Sequence, residues 1–181
     1  MSSAAPHHLY AVGTLTDRGT PFRVREHPAW SGPEAQREVC AALGVTPEQT
    51  VKTLAFTTPD DRLVLVAVPG HARLRYGAVA RAAGVRRADL APAGAERLAA
   101  LGAEPGGVCP VVPDEDAVVI VDASVPGMGP IHCGSGRADT SIEIDACDLL
   151  AAVPGAVLAE VTDVPAPVEG DGAERGRAMG A

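Results

Sequence analysis

An uninterrupted apolar run, AVVIV at positions 117–121, limits the folds open to this chain more than any other feature. Such a run, rich in β-branched residues and without polar alternation, is typical of a strand that is buried on both faces. We therefore expect residues 117–122 to form a central strand of a sheet that other elements cover.

Further strands are predicted around this one. Residues 22–27 alternate apolar and polar side chains, as does the segment 140–145, in which Ile142 and Ile144 share one face. Residues 51–57 and 63–68 are expected to pair as a hairpin around Pro59-Asp60-Asp61. Shorter strands are predicted at 131–133 and at 156–161.

Helices are predicted at residues 33–43, 74–83, 93–101 and 147–153, and the first three precede glycines 44, 84 and 102. Ser31 and Glu34 have the spacing of a capping box at the start of the first helix. Strands outnumber helices and do not alternate strictly with them. The predicted fold class is therefore α+β, with a mixed, largely antiparallel central sheet and packed helices.

A chain of 181 residues is most simply one domain. We assign this domain to residues 21–163. Residues 1–20 show little pattern and are expected to pack loosely, and the Pro, Gly and charged composition of residues 164–181 predicts a disordered tail.

Composition excludes several classes of function. A net charge of −8 disfavours a protein that coats nucleic acid, and an aromatic content of 3% disfavours base-stacking platforms. The four cysteines lack zinc-ligand spacing, so we expect no metal and no cofactor. Without a signal peptide or a membrane-spanning run, the chain is expected to be cytoplasmic, with reduced thiols and no membrane contact.

Three separated segments have features of one binding site. Lys52 stands at the mouth of an apolar strand, and the segments 106–110 and 133–137 are Gly-rich loops beside strands. A cation and two loops with accessible amides suit a negative or carbonyl-bearing ligand. The alternatives are an edge charge that prevents aggregation for Lys52, and simple β-turns for the loops.

Other residues are weaker candidates. His27 and His132 flank strands and could line a pocket, although a histidine satisfied by a backbone bond is commoner. Cys109 and Cys133 are expected to be small pocket-lining residues. Glu143 and Asp145 lie on one face of a predicted strand, and either a solvated face or a role in acid–base chemistry explains them equally well. The segment between His71 and Ala88 contains no acidic residue and five arginines, which form either a phosphate-binding surface or an ordinary solvated face: Arg73, Arg75, Arg81, Arg86 and Arg87.

Several motifs follow one another in a set order: Glu26-His27-Pro28, then Val51-Lys52-Thr53-Leu54, and last Gly134-Ser135-Gly136-Arg137. With this order the chain resembles the YbaK and prolyl-tRNA synthetase-associated family of freestanding aminoacyl-tRNA editing deacylases. The resemblance covers residues 22–150 and implies a YbaK-like editing fold. It implies hydrolysis of the ester that joins a wrong amino acid to the 3′ adenosine of a tRNA, with the tRNA acceptor end as partner and a synthetase as a further candidate partner.

The resemblance also implies roles for individual residues. Catalysis is expected at Lys52, Gly106, Gly134 and Ser135. Cys109 stands where the family more often has a small hydroxyl residue, which leaves the edited amino acid open. Substrate contacts are expected from Thr53, Gly107, Val108, Cys109, Pro110, Gly136, Arg137 and His27. Apart from the resemblance, the clustering of the five arginines predicts that they contact the acceptor end of the tRNA.

The sequence thus predicts trans-editing of mischarged tRNA(Pro) that carries Ala, Cys, Ser or Thr. One alternative is a non-catalytic module that binds a ligand or regulates a synthetase. A second alternative is hydrolysis of another small ester or thioester without tRNA.

Overall fold

One mixed sheet organises the chain in the computed structural model, which describes residues 9–113 and 116–164. The strands run in the order β1-β7-β6-β2-β3-β5-β8, and a short β4 also pairs with β2. Among the described strands, four pairings are antiparallel and three are parallel. The α+β class with a mixed sheet is therefore confirmed. The strands are β1 (Arg23–Glu26), β2 (Thr50–Thr57), β3 (Leu63–Pro69), β4 (Ala91–Pro92), β5 (Val118–Asp122), β6 (Pro130–Gly134), β7 (Thr140–Asp145) and β8 (Val157–Ala159).

The described residues also contain five α-helices. Three of them end at a glycine in the left-handed conformation, as the sequence predicts, because glycine has no Cβ to clash there. The helices are α1 (Tyr10–Asp17), α2 (Gln36–Leu43), α3 (Tyr76–Ala83), α4 (Ala95–Leu101) and α5 (Ala146–Ala151).

Strand β3 is buried along its whole length because apolar clusters cover both of its faces. Leu65 belongs to one cluster, together with residues of α1, α4 and α5. Val66 belongs to the other, which includes residues of α3. The apolar run of β5 is buried for the same reason, although β5 lies one strand in from the edge rather than at the centre.

The edge of β2 that faces β6 is open in its middle. Thr50 and Val51 pair with β6, and Phe56 and Thr57 pair with β4. In the described part of the chain, no strand pairs with residues 52–55 on that side. Strand β6 therefore diverges from β2 after two residue pairs, and the candidate site lies at this opening.

The expectation that residues 1–20 pack loosely is wrong for residues 10–17. They form α1, in which Ala11 and Leu15 are completely buried. The Arg18 guanidinium donates a hydrogen bond to the carbonyl oxygen of Ala152. Residues 1–8, and all but the first residue of the predicted tail, lie outside the described residues.

The predicted Ser31 cap is also wrong. A 3₁₀ turn, Pro33–Ala35, precedes α2, and its N-terminal cap is Gly32 at φ 137°, without a side-chain cap. Only glycine adopts this φ freely, so the backbone rather than a hydroxyl sets the start of the helix. In contrast, the capping box of Thr46 and Gln49 is present in the 3₁₀ turn before β2.

Candidate functional site

A cavity of about 380 Å³ lies at the opening beside β2. Its lining comes from β2, from α2 and the segment before it, from the two Gly-rich loops, and from β6 and β7. The lining residues are His27, Trp30, Pro33, Gln36, Val39, Cys40, Leu43, Thr50, Val51, Lys52, Thr53, Leu54, Gly70, Gly106, Val108, His132, Gly134 and Ser141.

Lys52 is the only lysine of the sequence, and it lines this cavity. Its Nζ donates a hydrogen bond to the carbonyl oxygen of Ala72 at 2.7 Å. Partial burial lowers the pKa of Lys52, and the nearby Asp163 carboxylate opposes that shift. An ammonium has three N–H donors, so two remain for a ligand.

The two Gly-rich loops lie against each other, as the sequence predicts. The Gly136 amide donates to the carbonyl oxygen of Gly107 at 2.6 Å, and the Glu104 amide donates to that of Gly136 at 2.8 Å. A Cβ atom on Gly134 would lie less than 3.0 Å from the carbonyl oxygen of Val108. The glycine is therefore required for the close approach of two backbones.

Trp30 and His27 also line the cavity, beside these loops. A Cβ atom on Gly106 would lie less than 3.0 Å from the Trp30 side chain, so the indole packs directly on that glycine. The His27 Nδ1 lies 2.7 Å from the carbonyl oxygen of Pro28 and must donate to it. Nε2, which is 2.8 Å from Ser141 Oγ, is then the acceptor of the serine hydroxyl.

His132 lines the cavity with neither ring nitrogen in a hydrogen bond, although both are buried. Its Nε2 lies 3.6 Å from Glu143 Oε2, and that carboxylate accepts a hydrogen bond from Arg25 at 2.7 Å. Burial lowers the pKa of His132, so the ring is neutral at pH 7. Thr53 Oγ1 is a further buried polar atom of the lining without a hydrogen-bond partner.

Tyr10 of α1 supports the loops from behind. Its hydroxyl donates to the carbonyl oxygen of Cys109 at 2.9 Å and accepts from the Cys109 amide at 2.6 Å. Burial raises the pKa of this hydroxyl. The Cys109 thiol is completely buried beside Cys133, and a hydrogen bond between the two, together with burial, raises the pKa of Cys133.

The cavity brings together part of the site predicted from the sequence. Lys52, Thr53, Gly106, Val108, Gly134 and His27 line it. Six other predicted residues are absent from the lining: Ser135, Gly107, Cys109, Pro110, Gly136 and Arg137. Cys109 and Cys133, both expected to line the pocket, are thus absent from its lining. Sequence analysis did not predict that Trp30 and the α2 residues line the cavity. For the α2 residues, the amphipathic pattern of the helix was the one signal of a buried face.

Two of the six residues outside the cavity have clear structural partners. Ser135 is completely buried, and its hydroxyl hydrogen-bonds the carbonyl oxygen of Thr140 at 3.0 Å and the Thr140 hydroxyl at 2.6 Å. Arg137 makes a bidentate ion pair with Asp139, at 2.8 and 2.6 Å. Both side chains therefore fix the shape of the loop between β6 and β7.

The five predicted tRNA-binding arginines are all exposed, but their surroundings differ. Arg86 forms a bidentate ion pair with Asp89, at 2.7 and 2.8 Å. The Arg87 guanidinium lies 5.3 Å from the centre of the Tyr76 ring. Arg73 follows Ala72, the residue whose carbonyl oxygen binds Lys52, so this end of the cluster adjoins the cavity.

Two further properties concern the described residues alone. None of their helices is both long and apolar enough to cross a membrane. Within the ranges 9–113 and 116–164, no group of three or more His, Cys, Asp or Glu side chains is placed to hold a metal ion.

Comparison with solved structures finds the same fold. A candidate trans-editing enzyme for prolyl tRNA synthetase is 26% identical with a TM-score of 0.72, over 90% of this chain and 100% of the other. A scaffold protein from a study of computational epitope grafting is 29% identical with the same TM-score and coverage. A hypothetical protein is 26% identical with a TM-score of 0.71, over 85% of this chain and 99% of the other.

A search of the curated proteins gives no match. A family model, that of the aminoacyl-tRNA editing domain, matches residues 33–152, which include α2, both Gly-rich loops and all of the cavity lining except His27 and Trp30. The resemblance found in the sequence is thus confirmed at the level of the family, and the chain belongs to the aminoacyl-tRNA editing domain family.

Proposed function

We propose that this domain is a trans-editing deacylase, which hydrolyses the ester bond of a mischarged aminoacyl-tRNA. The proposal rests on the cavity beside β2, because the single lysine of the sequence and both Gly-rich loops line it. The chain that forms this cavity belongs to the editing domain family. Its volume of about 380 Å³ suits a small aminoacyl group and part of the terminal nucleotide. The likeness to a candidate trans-editing enzyme for prolyl tRNA synthetase supports tRNA(Pro) as the carrier.

The reaction needs a positioned water and a place for the developing negative charge. The water oxygen attacks the ester carbonyl, the bond to the ribose 3′ oxygen breaks, and that oxygen leaves with a proton. The ester is already activated, so no covalent enzyme intermediate is required. Orientation within the cavity and stabilisation of the oxyanion supply the acceleration.

Backbone amides of the loop at 106–108 are the best candidates for the oxyanion donors. The amides of Gly107 and Cys109 already donate to Glu104 and to Tyr10. Among the described residues, the amides of Gly106 and Val108 have no such partner, and both residues line the cavity. One good oxyanion donor contributes about 2.7–4 kcal/mol to lowering the barrier.

Lys52 is proposed to hold the terminal phosphate or the ribose. Two of its ammonium N–H groups remain after the bond to Ala72, and a protonated ammonium is a donor rather than a base. The exposed Arg73 and Arg75 follow Ala72 in the chain and offer two further cationic groups close to this bond. The acceptor end of the tRNA would then run along this surface.

The test is deacylation of tRNA(Pro) charged with Ala, Cys, Ser, Thr or Pro by the wild type and by Lys52→Ala. The wild type is expected to release one or two of the non-cognate amino acids and to spare proline. Loss of a hydrogen bond to a charged group costs about 1.5–3 kcal/mol, so KM should rise about 10- to 150-fold in Lys52→Ala. Lys52→Arg, which retains the charge, is the matched control and should recover part of the affinity.

Two results would contradict the proposal. A folded wild type that releases no amino acid would remove the deacylase function and favour a ligand-binding module. A Lys52→Ala variant with a severely reduced kcat and an unchanged KM would show that Lys52 acts in the chemical step rather than in holding the substrate.

A further inference from the structure

After β8 the chain returns to the turn that follows β3. Residues 161–163, which we call the C-terminal segment, are joined to residues 73–75 by an isolated antiparallel bridge. The Arg75 amide donates a hydrogen bond to the carbonyl oxygen of Val161 at 2.7 Å. The family model ends at residue 152, so these contacts come from a part of the chain that the family match does not include.

Within this segment, Asp163 holds the residue next to the one that binds Lys52. Its Oδ1 accepts a hydrogen bond from the Arg73 amide at 2.9 Å, and its own amide donates to the carbonyl oxygen of Arg73 at 3.3 Å. Arg73 directly follows Ala72, whose carbonyl oxygen accepts the hydrogen bond from Lys52 Nζ. The Ala72 amide donates to the carbonyl oxygen of Pro69 at 3.0 Å. The backbone that presents this carbonyl oxygen is therefore held on both sides.

The Asp163 carboxylate also acts on Lys52 through its charge. It raises the pKa of Lys52, against the effect of partial burial, because a nearby negative charge favours the ammonium. Glu48, in the turn before β2, interacts with His71. The other titratable side chains of the described cavity lining and of the adjoining turn are neutral or positively charged: His27, Cys40, His71, Arg73, Arg75 and His132.

We propose that Asp163 is a positioning residue for Lys52: it fixes the turn whose carbonyl oxygen orients the ammonium, and its charge keeps that ammonium protonated. The inference rests on the function proposed above, in which a protonated Lys52 holds the terminal phosphate or the ribose. A lysine that loses its proton loses its charge and one N–H donor, so it binds an anionic group less well. Asp163 thus extends the working range of the site towards alkaline pH.

Four substitutions separate the two effects of Asp163. Asp163→Asn removes the charge but keeps the oxygen that accepts from the Arg73 amide, whereas Asp163→Ala removes both. Asp163→Glu keeps the charge. Asp17→Asn is the matched control, because it makes the same change of charge at an exposed position of α1 outside the cavity lining. Circular dichroism confirms that each variant is folded.

The first measurement uses the fact that Lys52 is the only lysine of the sequence. Protein grown with isotope-labelled lysine gives one Cε signal in NMR spectra, and its chemical shift follows the ionisation of the ammonium as the pH rises. At low salt, where the exposed Asp163 carboxylate is least screened, Lys52 should lose its proton at a lower pH in Asp163→Asn than in the wild type. Asp163→Glu should titrate closer to the wild type, and Asp17→Asn should match it.

The second measurement is the affinity for a tRNA(Pro) whose amino acid is attached through an amide in place of the ester, followed by fluorescence anisotropy. Kd should rise with pH by about 10- to 150-fold as Lys52 loses its proton, and the midpoint of this rise should lie at a lower pH in Asp163→Asn. The midpoints are compared because removal of a carboxylate near the site also reduces its repulsion of RNA. At pH 7, Asp163→Ala should bind about 2- to 10-fold more weakly than Asp163→Asn, since only asparagine still accepts from Arg73.

Three outcomes would overturn the inference while an active wild type preserves the deacylase function. They are equal Lys52 titrations in the wild type and Asp163→Asn, a shift in titration that the midpoint of Kd does not follow, and equal affinities of Asp163→Asn and Asp163→Ala at pH 7. If the folded wild type hydrolyses no charged tRNA, the proposed function fails, and the role of Asp163 in that reaction fails with it. The NMR titration needs no substrate, so the two failures are distinguishable.

Discussion

Gly107 lies where the two Gly-rich loops touch, and its lack of a side chain allows their backbones to come this close. A Cβ atom there would lie less than 3.0 Å from the backbone atoms of Arg137, which can move only if the loop moves. We expect Gly107→Ala to lower the free energy of unfolding by about 1–3 kcal/mol, the usual cost of overpacking. Urea denaturation followed by circular dichroism measures this change.

Gly13 provides the matched control for that substitution. It lies inside α1, and a Cβ atom built on it meets nothing within 4 Å. Gly13→Ala should therefore stabilise the protein by about 0.5–1 kcal/mol, since alanine loses less backbone entropy in a helix. Equal effects of the two substitutions would mean that the loop at Gly107 relaxes without cost.

Individual residues of the site could be found from the sequence where their type alone implied chemistry. A lysine at an apolar strand and glycines beside strands pointed to Lys52, Gly106 and Gly134, and all three line the cavity. His132 was recognised only as a residue that could line a pocket. Whether its nitrogens have partners depends on the positions of β6 and β7, which no local pattern reveals.

Helix α1 offers a prediction at the scale of one element. Leu15 is completely buried against the main core, so Leu15→Ala should lower the free energy of unfolding by about 2–5 kcal/mol. Thr16→Ala, at an exposed position of the same helix, should change it by less than about 0.5 kcal/mol. Chemical denaturation of both variants is the measurement, and a small effect at Leu15 would mean that α1 contributes little to stability.

The elements that could be predicted are those with a strong local signal. Helices α2, α3 and α4 were located because a glycine follows an apolar pattern in each. Helix α1 was missed because its two completely buried positions, Ala11 and Leu15, are too few to stand out over eight residues. Its contact with the site, the Tyr10 hydroxyl on Cys109, joins residues 99 positions apart.

The distribution of charge over the whole molecule leads to a prediction about salt. The chain has a net charge of −8, so tRNA must bind at a locally positive surface. We expect the double variant Arg73→Glu, Arg75→Glu to bind tRNA more weakly. The slope of log Kd against log salt concentration should also fall, by about one unit for each phosphate that the variant no longer neutralises. Fluorescence anisotropy at several salt concentrations provides both quantities.

Arg86→Glu is the control for this pair. Its guanidinium is already bound by Asp89, so this arginine has less free charge to offer a phosphate. An unchanged salt dependence in the Arg73 and Arg75 double variant would exclude that end of the cluster from the tRNA interface.

The fold class could be predicted from the sequence, but the order of the strands could not. The hairpin of β2 and β3 is local, whereas β1 pairs with β7 and β2 pairs with β6 across long stretches of chain. These pairings depend on how buried faces fit together in three dimensions. The opening beside β2, and with it the cavity, is a product of that non-local arrangement.

This opening has a mechanical consequence. Only two residue pairs join β2 to β6, against seven between β2 and β3 and five between β6 and β7. The sheet thus has two parts, β1-β7-β6 and β2-β3-β5-β8, which are joined by few residue pairs. The cavity lies where β2 and β6 are no longer paired. A ligand that contacted both parts of the sheet would therefore hold them together and stiffen the sheet for as long as it stayed bound.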